Sequence, residues 1–313
     1  MNDFPKRLCD RIEDYIALRQ SLGYRFQVQA AVLRALGAYV RTRDAAGPLT
    51  RELALAFVLA RPVTATVRAR RYGFIARFAE YLALFESATE LLDVRDLPRS
   101  RAIAPARILD ACEVDRLLTA AKAVSPRFPM RGLTLYTLIG LLASTGLRSG
   151  EALRLNRGDV DLDAGVLRIR KTKFRKDRLV PLHPTTRLAL LDYASERERR
   201  FPAAQSEGFF LSLRGGRLHS GGFTRAFSEA RAAAGLADGT PRPVRPHDLR
   251  HRFAVTRLSE WHRHGVDVQT MLPILATYLG HARYTDTAYY ITGTAELLAN
   301  AARRAFDADG GAS

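Results

Sequence analysis

Apolar residues recur at helical spacing through the first third of the chain. Leu8, Ile12, Tyr15, Ile16 and Leu22 form one series, which stops near Gly23. Val28, Val32, Leu33, Leu36, Tyr39 and Val40 form a second, which ends before Ala46-Gly47-Pro48. Thr50 is placed to cap a third helix through Leu59, with Pro62 terminating it. A fourth is predicted from about Thr64 to Phe85. It carries Phe74, Ile75, Phe78, Tyr81 and Leu82 on one face and Arg68, Arg70, Arg71 and Arg77 elsewhere. Residues 93–108 have no period and contain Pro98, Pro105 and closely placed arginines, which reads as a basic linker between domains.

Past the linker, Asp110 with Glu113 three residues on predicts a capped helix. A long apolar helix follows over about Arg131 to Ser144. Gly146 breaks it, and a new helix begins near Ser149. Residues 160–182 change to period two. Val166, Leu167 and Ile169 lie on one arm, Leu179, Val180 and Leu182 on the other, and Lys173, Arg175 and Lys176 near the tip. Helical spacing then returns, punctuated by Gly215-Gly216, Gly221-Gly222 and the loop 239–246. Pro273, inside the run that leads to Leu279, predicts two short helices there. The expected protein is mainly α with a small antiparallel β-sheet. It divides into a helical domain over 1–97, a linker over 98–108 and a second domain over 109–313.

Charge narrows the partner. Lys+Arg number 49 against 32 Asp+Glu, a net +17, and most of the excess lies after residue 98. That balance favours a polyanion bound in a salt-sensitive manner. Arg far outnumbers Lys, and its planar fork donates two hydrogen bonds to a phosphate. Two cysteines, Cys9 and Cys112, with no CxxC spacing, argue against a disulfide framework and a cysteine zinc site, and His262 and His264 lack further suitably placed ligands. The first fifteen residues are charged with no apolar signal core. The most apolar run, Leu133 to Ala143, is about half of a membrane span. A cytoplasmic protein is expected.

Four clusters could carry chemistry: STGLRSGEALRL (144–155), KTKFRKDRLVPL (171–182), RPHDLRHRFAVTRL (245–258) and YLGHARYTDTAYYITGTAELL (278–298). Singly, each has an ordinary explanation as surface charge, helix cap or core aromatic. In this order, over roughly residues 108–300, they resemble the tyrosine recombinase (phage integrase and Xer-like) family. The local dress agrees: TGLRxGE, a basic hairpin ending in VPL, HDLRH, LGH, and a tyrosine nine residues after the last histidine. The N-terminal part is similar, more loosely, to that family's helical core-binding (SAM-like) domain, with the catalytic domain following it.

The resemblance implies a site of Arg148, Lys173, His247, Arg250, His281 and Tyr290. Arg148 and Arg250 would clamp the non-bridging oxygens of a phosphodiester as their charge grows, while Tyr290 supplies the attacking oxygen. Lys173 would protonate the leaving sugar oxygen, His247 would assist proton transfer at the tyrosine, and His281 would hydrogen-bond the phosphate. Lys171 and Lys176 share the hairpin, but the TKF pattern favours Lys173. Tyr289 adjoins Tyr290, yet helical neighbours point about 100° apart, and the nine-residue spacing favours Tyr290. HxxR singles out His247 over His251, and Glu151 reads as a structural partner that orients an arginine.

The implied product is a 3′-phosphotyrosyl DNA and a free 5′-hydroxyl, exchanged between partners through a Holliday junction. No metal or nucleotide cofactor is expected. The implied partners are double-stranded DNA with specific recombination sites and a homo-tetramer on synapsed DNA, with or without related recombinases. ELLANAARRAF, after Tyr290, is a candidate for a C-terminal helix docking on a neighbour or, equally, packing in cis. The Pro273 stretch is closer in style to recombinases of transposons and integrative elements than to chromosome-dimer resolvases. Such a resolvase, a type IB topoisomerase of the same chemistry and a non-catalytic DNA-binding accessory protein are the alternatives.

Overall fold

The computed structural model describes residues 3–97, 106–170, 177–203, 205–237 and 242–280. The chain divides into two compact units, Met1–Ile103 and Ala104–Ser313. In the first, four helices enclose one apolar core: α1 (Phe4–Ser21), α2 (Gln27–Thr42), α3 (Arg51–Leu59) and α4 (Ala65–Leu82). Each predicted helix is present. Thr50 caps α3 by accepting from the Leu53 N–H at 3.2 Å, and Thr64 caps α4 by accepting from Val67 at 3.4 Å.

The buried faces differ in detail from the expected ones. Leu22 and Val28 are 62% and 58% exposed, because Leu22 is the residue after α1 and Val28 lies in the first turn of α2, beyond the reach of the core. On α4 the inward face holds Tyr72, Ile75, Ala76, Phe78, Ala79 and Leu82, while Phe74 and Tyr81 are half-buried. Tyr72 can be buried because its hydroxyl donates to Asp96 at 2.7 Å.

The second unit is built around α6 (Pro129–Thr145), which is apolar on nearly every side. It packs against α5 (Ala111–Ala123), α8 (Pro184–Arg200) and α10 (Pro246–Arg263). The capping box that opens α5 is formed: Asp110 accepts from the Glu113 N–H at 2.7 Å and Glu113 from Asp110 at 3.0 Å. Between α6 and α8 come α7 (Ser149–Arg154) and an antiparallel sheet in the order β1 (Val160–Asp161), β2 (Val166–Ile169), β3 (Arg178–Pro181). Leu167 pairs with Val180, and both face the core. Helix α9 (Ser220–Ala233) completes the core, and α11 (Val268–Leu279) packs on α10 in a small cluster of its own.

Pro273 does not divide α11, contrary to the sequence expectation. Proline inside a helix costs about 3 kcal/mol. Leu272, Leu275 and Leu279 are fully buried on the same helix, and burial of such side chains stabilises by roughly 1.5–3 kcal/mol each, which outweighs it. No helix among the described residues is long and apolar enough to cross a membrane.

Candidate active site

The site starts where α6 stops. Gly146 closes the helix at φ 63°, and a Cβ there would meet the Phe253 ring at 2.6 Å, so only glycine suits both the left-handed turn and the contact with α10. The chain then buries Leu147 and turns into α7 with Arg148 as the residue before its first turn. Glu151, in that first turn, accepts from the Arg148 N–H at 3.1 Å and from its Nη1 at 3.0 Å.

The first turn of α10 is fixed in a comparable way. Pro246 occupies the start of the helix, where no backbone donor is needed. Asp248, fully buried, accepts from the Arg245 N–H at 2.7 Å and from both terminal nitrogens of Arg242 at 2.6 and 2.7 Å. Burial alone would raise the Asp248 carboxyl, but the Arg242 bonds outweigh it and hold the carboxyl below its ordinary value. From this anchored turn His247 and Arg250 project.

Arg148 and Arg250 meet at the end of α11. The last carbonyls of a helix have no partner within it and form the negative end of its dipole. Arg250 donates from Nη1 to the Gly146 carbonyl and from Nη2 to that of Leu279, both at 2.8 Å. Arg148 donates from Nη1 and Nη2 to the Gly280 carbonyl at 3.2 Å. A third guanidinium, Arg178 of β3, donates from Nε to the Tyr278 carbonyl at 2.8 Å and from its terminal nitrogens to Glu151 at 2.8 and 3.3 Å. Three consecutive carbonyls, 278 to 280, are thus held by three arginines from three other elements.

Access differs among them. The Arg148 side chain is 31% exposed, that of Arg178 10%, and Arg250 is closed off at 1%. Glu151 is buried, which by itself would raise its pKa. The bond and charge of Arg178, followed by those of Arg148, leave it below the usual carboxylate range. His247 is exposed as a residue, but protein crowds its ring. That desolvation, then the charges of Arg250 and Arg148, lowers its pKa from the ordinary imidazole value. His251 stands edge-on to it with ring centroids 4.6 Å apart and is pushed down to about 4 by burial and then by the His247 charge. Both rings are therefore neutral at pH 7, and a neutral imidazole can accept a proton.

Of the residues expected from the sequence, the structure gathers Arg148, His247 and Arg250. Lys173, His281 and Tyr290 lie outside the described residues, as do Lys171, Lys176, Tyr289 and the segment after Tyr290. Arg178 was not singled out in the sequence. Its signal was there: two residues before buried Val180, it falls on the inward face of β3, an unusual place for a cation.

The pattern that defines the "Phage integrase family" matches residues 107–296, the unit that holds all of this geometry. The chain belongs to that family, the tyrosine recombinases. It is a DNA strand-transfer enzyme of site-specific recombination. Sinorhizobium fredii y4rE, which bears the name of an integrase/recombinase, is 56% identical over 313 residues, covering 100% of both chains. Among solved structures, the Tn1549 transposon integrase bound to transposon right-end DNA aligns with a TM-score of 0.65 at 15% identity. It covers 90% of this chain and 94% of its own. A lambda integrase tetramer bound to a Holliday junction aligns at 0.61 and 21% identity, covering 91% and 76%. These likenesses show the recombinase fold, mostly helical with a small antiparallel sheet.

Proposed function

We propose that this recombinase cuts and rejoins specific DNA sites through a phosphotyrosyl bond made by Tyr290. The observation that carries the reading is the meeting of Arg148 and Arg250, far apart in sequence, on adjacent carbonyls that lead directly into His281. An anion placed at this corner meets Arg148, whose guanidinium is already held by Glu151 and the Gly280 carbonyl, so it needs little reorganisation as charge develops. Of the five N–H groups of Arg148, the hydrogen bonds described above use three at most, and its side chain reaches solvent. Arg250 must be uncovered as DNA docks.

The Tyr290 oxygen attacks the phosphorus and its proton passes toward neutral His247. The bond from phosphorus to the 5′-oxygen breaks, and Lys173 protonates that oxygen as it leaves. His281 hydrogen-bonds the phosphate. The phosphate stays linked to the tyrosine at the 3′ end, so a 5′-hydroxyl from a partner strand can reverse the step and exchange strands through a Holliday junction. The helical unit up to residue 97 serves as the core-binding domain, and the basic linker 98–108 joins it to the catalytic domain. Synapsis uses a homo-tetramer in the cytoplasm, as the lambda integrase tetramer models for that protein. Integration is favoured over dimer resolution by the full-length likeness to y4rE, which bears the name of an integrase/recombinase.

The test is covalent capture. Duplexes selected by the full chain from a random-sequence pool are nicked at successive positions, so that the short strand released by cleavage diffuses away. A detergent-resistant adduct that maps to Tyr290 is expected, and Tyr290→Phe should abolish it while leaving DNA binding intact. An adduct that persists in Tyr290→Phe would move the nucleophile elsewhere.

A further inference from the structure

Resting on that reading, we infer that Arg178 is a positioning residue for strand cleavage, tying the turn before His281 to the carboxylate that orients Arg148. The geometry is that of a bracket. One edge of the guanidinium, Nε, holds the Tyr278 carbonyl at 2.8 Å, and the other holds both oxygens of Glu151. Glu151 in turn fixes Arg148 through its backbone N–H and its Nη1. The face of the guanidinium lies against Gly280: a Cβ on that residue would come 2.7 Å from Nη1 and 3.0 Å from Cζ of Arg178. Gly280 itself sits at φ 67°, so the turn out of α11 is set by the glycine and by the cation pressed on it.

Two groups of the reaction, His281 and Arg148, depend on this bracket. His281 is joined to Gly280 by one peptide bond, so the direction in which the chain leaves Gly280 governs where His281 begins. Arg148 shares Glu151 with Arg178, so losing one cation changes the hold on the other. A lysine could keep the charge beside Glu151. Its single ammonium cannot span a carbonyl on one side and two carboxylate oxygens on the other while lying flat on a glycine. Misplacing a reacting group by a fraction of an ångström lowers rate without lowering ground-state affinity for a long DNA duplex, because most of that affinity comes from other phosphates.

The experiment compares wild type, Arg178→Lys and Arg178→Gln as full-length proteins on the nicked duplex described above. The readouts are single-turnover cleavage at saturating protein and DNA affinity by titration. Both variants should cleave at least about ten-fold more slowly while their affinities stay within about two-fold of wild type. Cleavage at the wild-type rate in either variant overturns the inference. So does a loss of cleavage matched by an equal loss of binding and of folded protein, which a purely structural role would produce. The underlying reading fails separately, if wild type forms no adduct or if Tyr290→Phe still does.

Discussion

Arg250→Ala is expected to lower DNA cleavage by at least about 10³-fold and also to weaken the fold, since removing one donor of charge developing in a transition state typically costs roughly 10²–10³ and Arg250 offers more than one. The stability effect has a separate cause. Arg250 satisfies the buried carbonyls of Gly146 and Leu279, and stranding a buried polar group costs about 1–3 kcal/mol each. Those carbonyls end α6 and α11, so their loss loosens the two helices that converge on the site. Arg250→Lys keeps one charge but cannot reach both carbonyls at once. It should recover part of the stability and little of the cleavage. Thermal melts and single-turnover cleavage measure the two effects separately. An alanine variant with wild-type melting and cleavage within ten-fold would remove Arg250 from both roles.

Replacing Glu151 should show the second large effect, and on stability first. The carboxylate is buried between Arg148 and Arg178, and taking one partner from a buried ion pair costs about 3–5 kcal/mol because it leaves charge without a counter-charge. Its pKa also makes the contribution depend on pH. The folded value lies below the unfolded one, so the stabilisation is fully present above the ordinary carboxylate pKa and is lost as pH falls through the lower folded value. Wild type should therefore lose stability on acidification below about pH 4.3. Glu151→Gln should be weaker at pH 7 and show a shallower acid slope. Asp248 is held low by Arg242 and keeps part of the slope in both proteins. Parallel acid slopes in the two proteins would contradict the placement of Glu151.

What could be read from the sequence was local. The capping box of Asp110 and Glu113, the cap at Thr50, the glycine stop at Gly146 and the alternation around Val180 all depend on residues within a few positions of one another. Tyr72 was missed because helical spacing ranks large apolar side chains and does not see the Asp96 partner that lets a phenol go inside. Pro273 was overweighted, since the cost of a lost helical bond is visible locally and the burial of Leu272, Leu275 and Leu279 on α10 is not. The site divides in the same way. The family resemblance marked Arg148, His247 and Arg250, but nothing in their spacing says that the carbonyls of Leu279 and Gly280 are where the two arginines meet. Arg178 depends on a contact 100 residues away, beyond any pattern of neighbours.

Catalysis at this site rests on two guanidiniums answering the negative charge of one phosphate. The direct measurement replaces the scissile phosphate with a methylphosphonate, which has the same shape at phosphorus and no net charge, and compares wild type with Arg148→Ala and Arg250→Ala on both substrates. The defect of each variant should shrink markedly on the neutral linkage, because the charge its arginine would have met is gone. Defects of equal size on the charged and neutral substrates would contradict it.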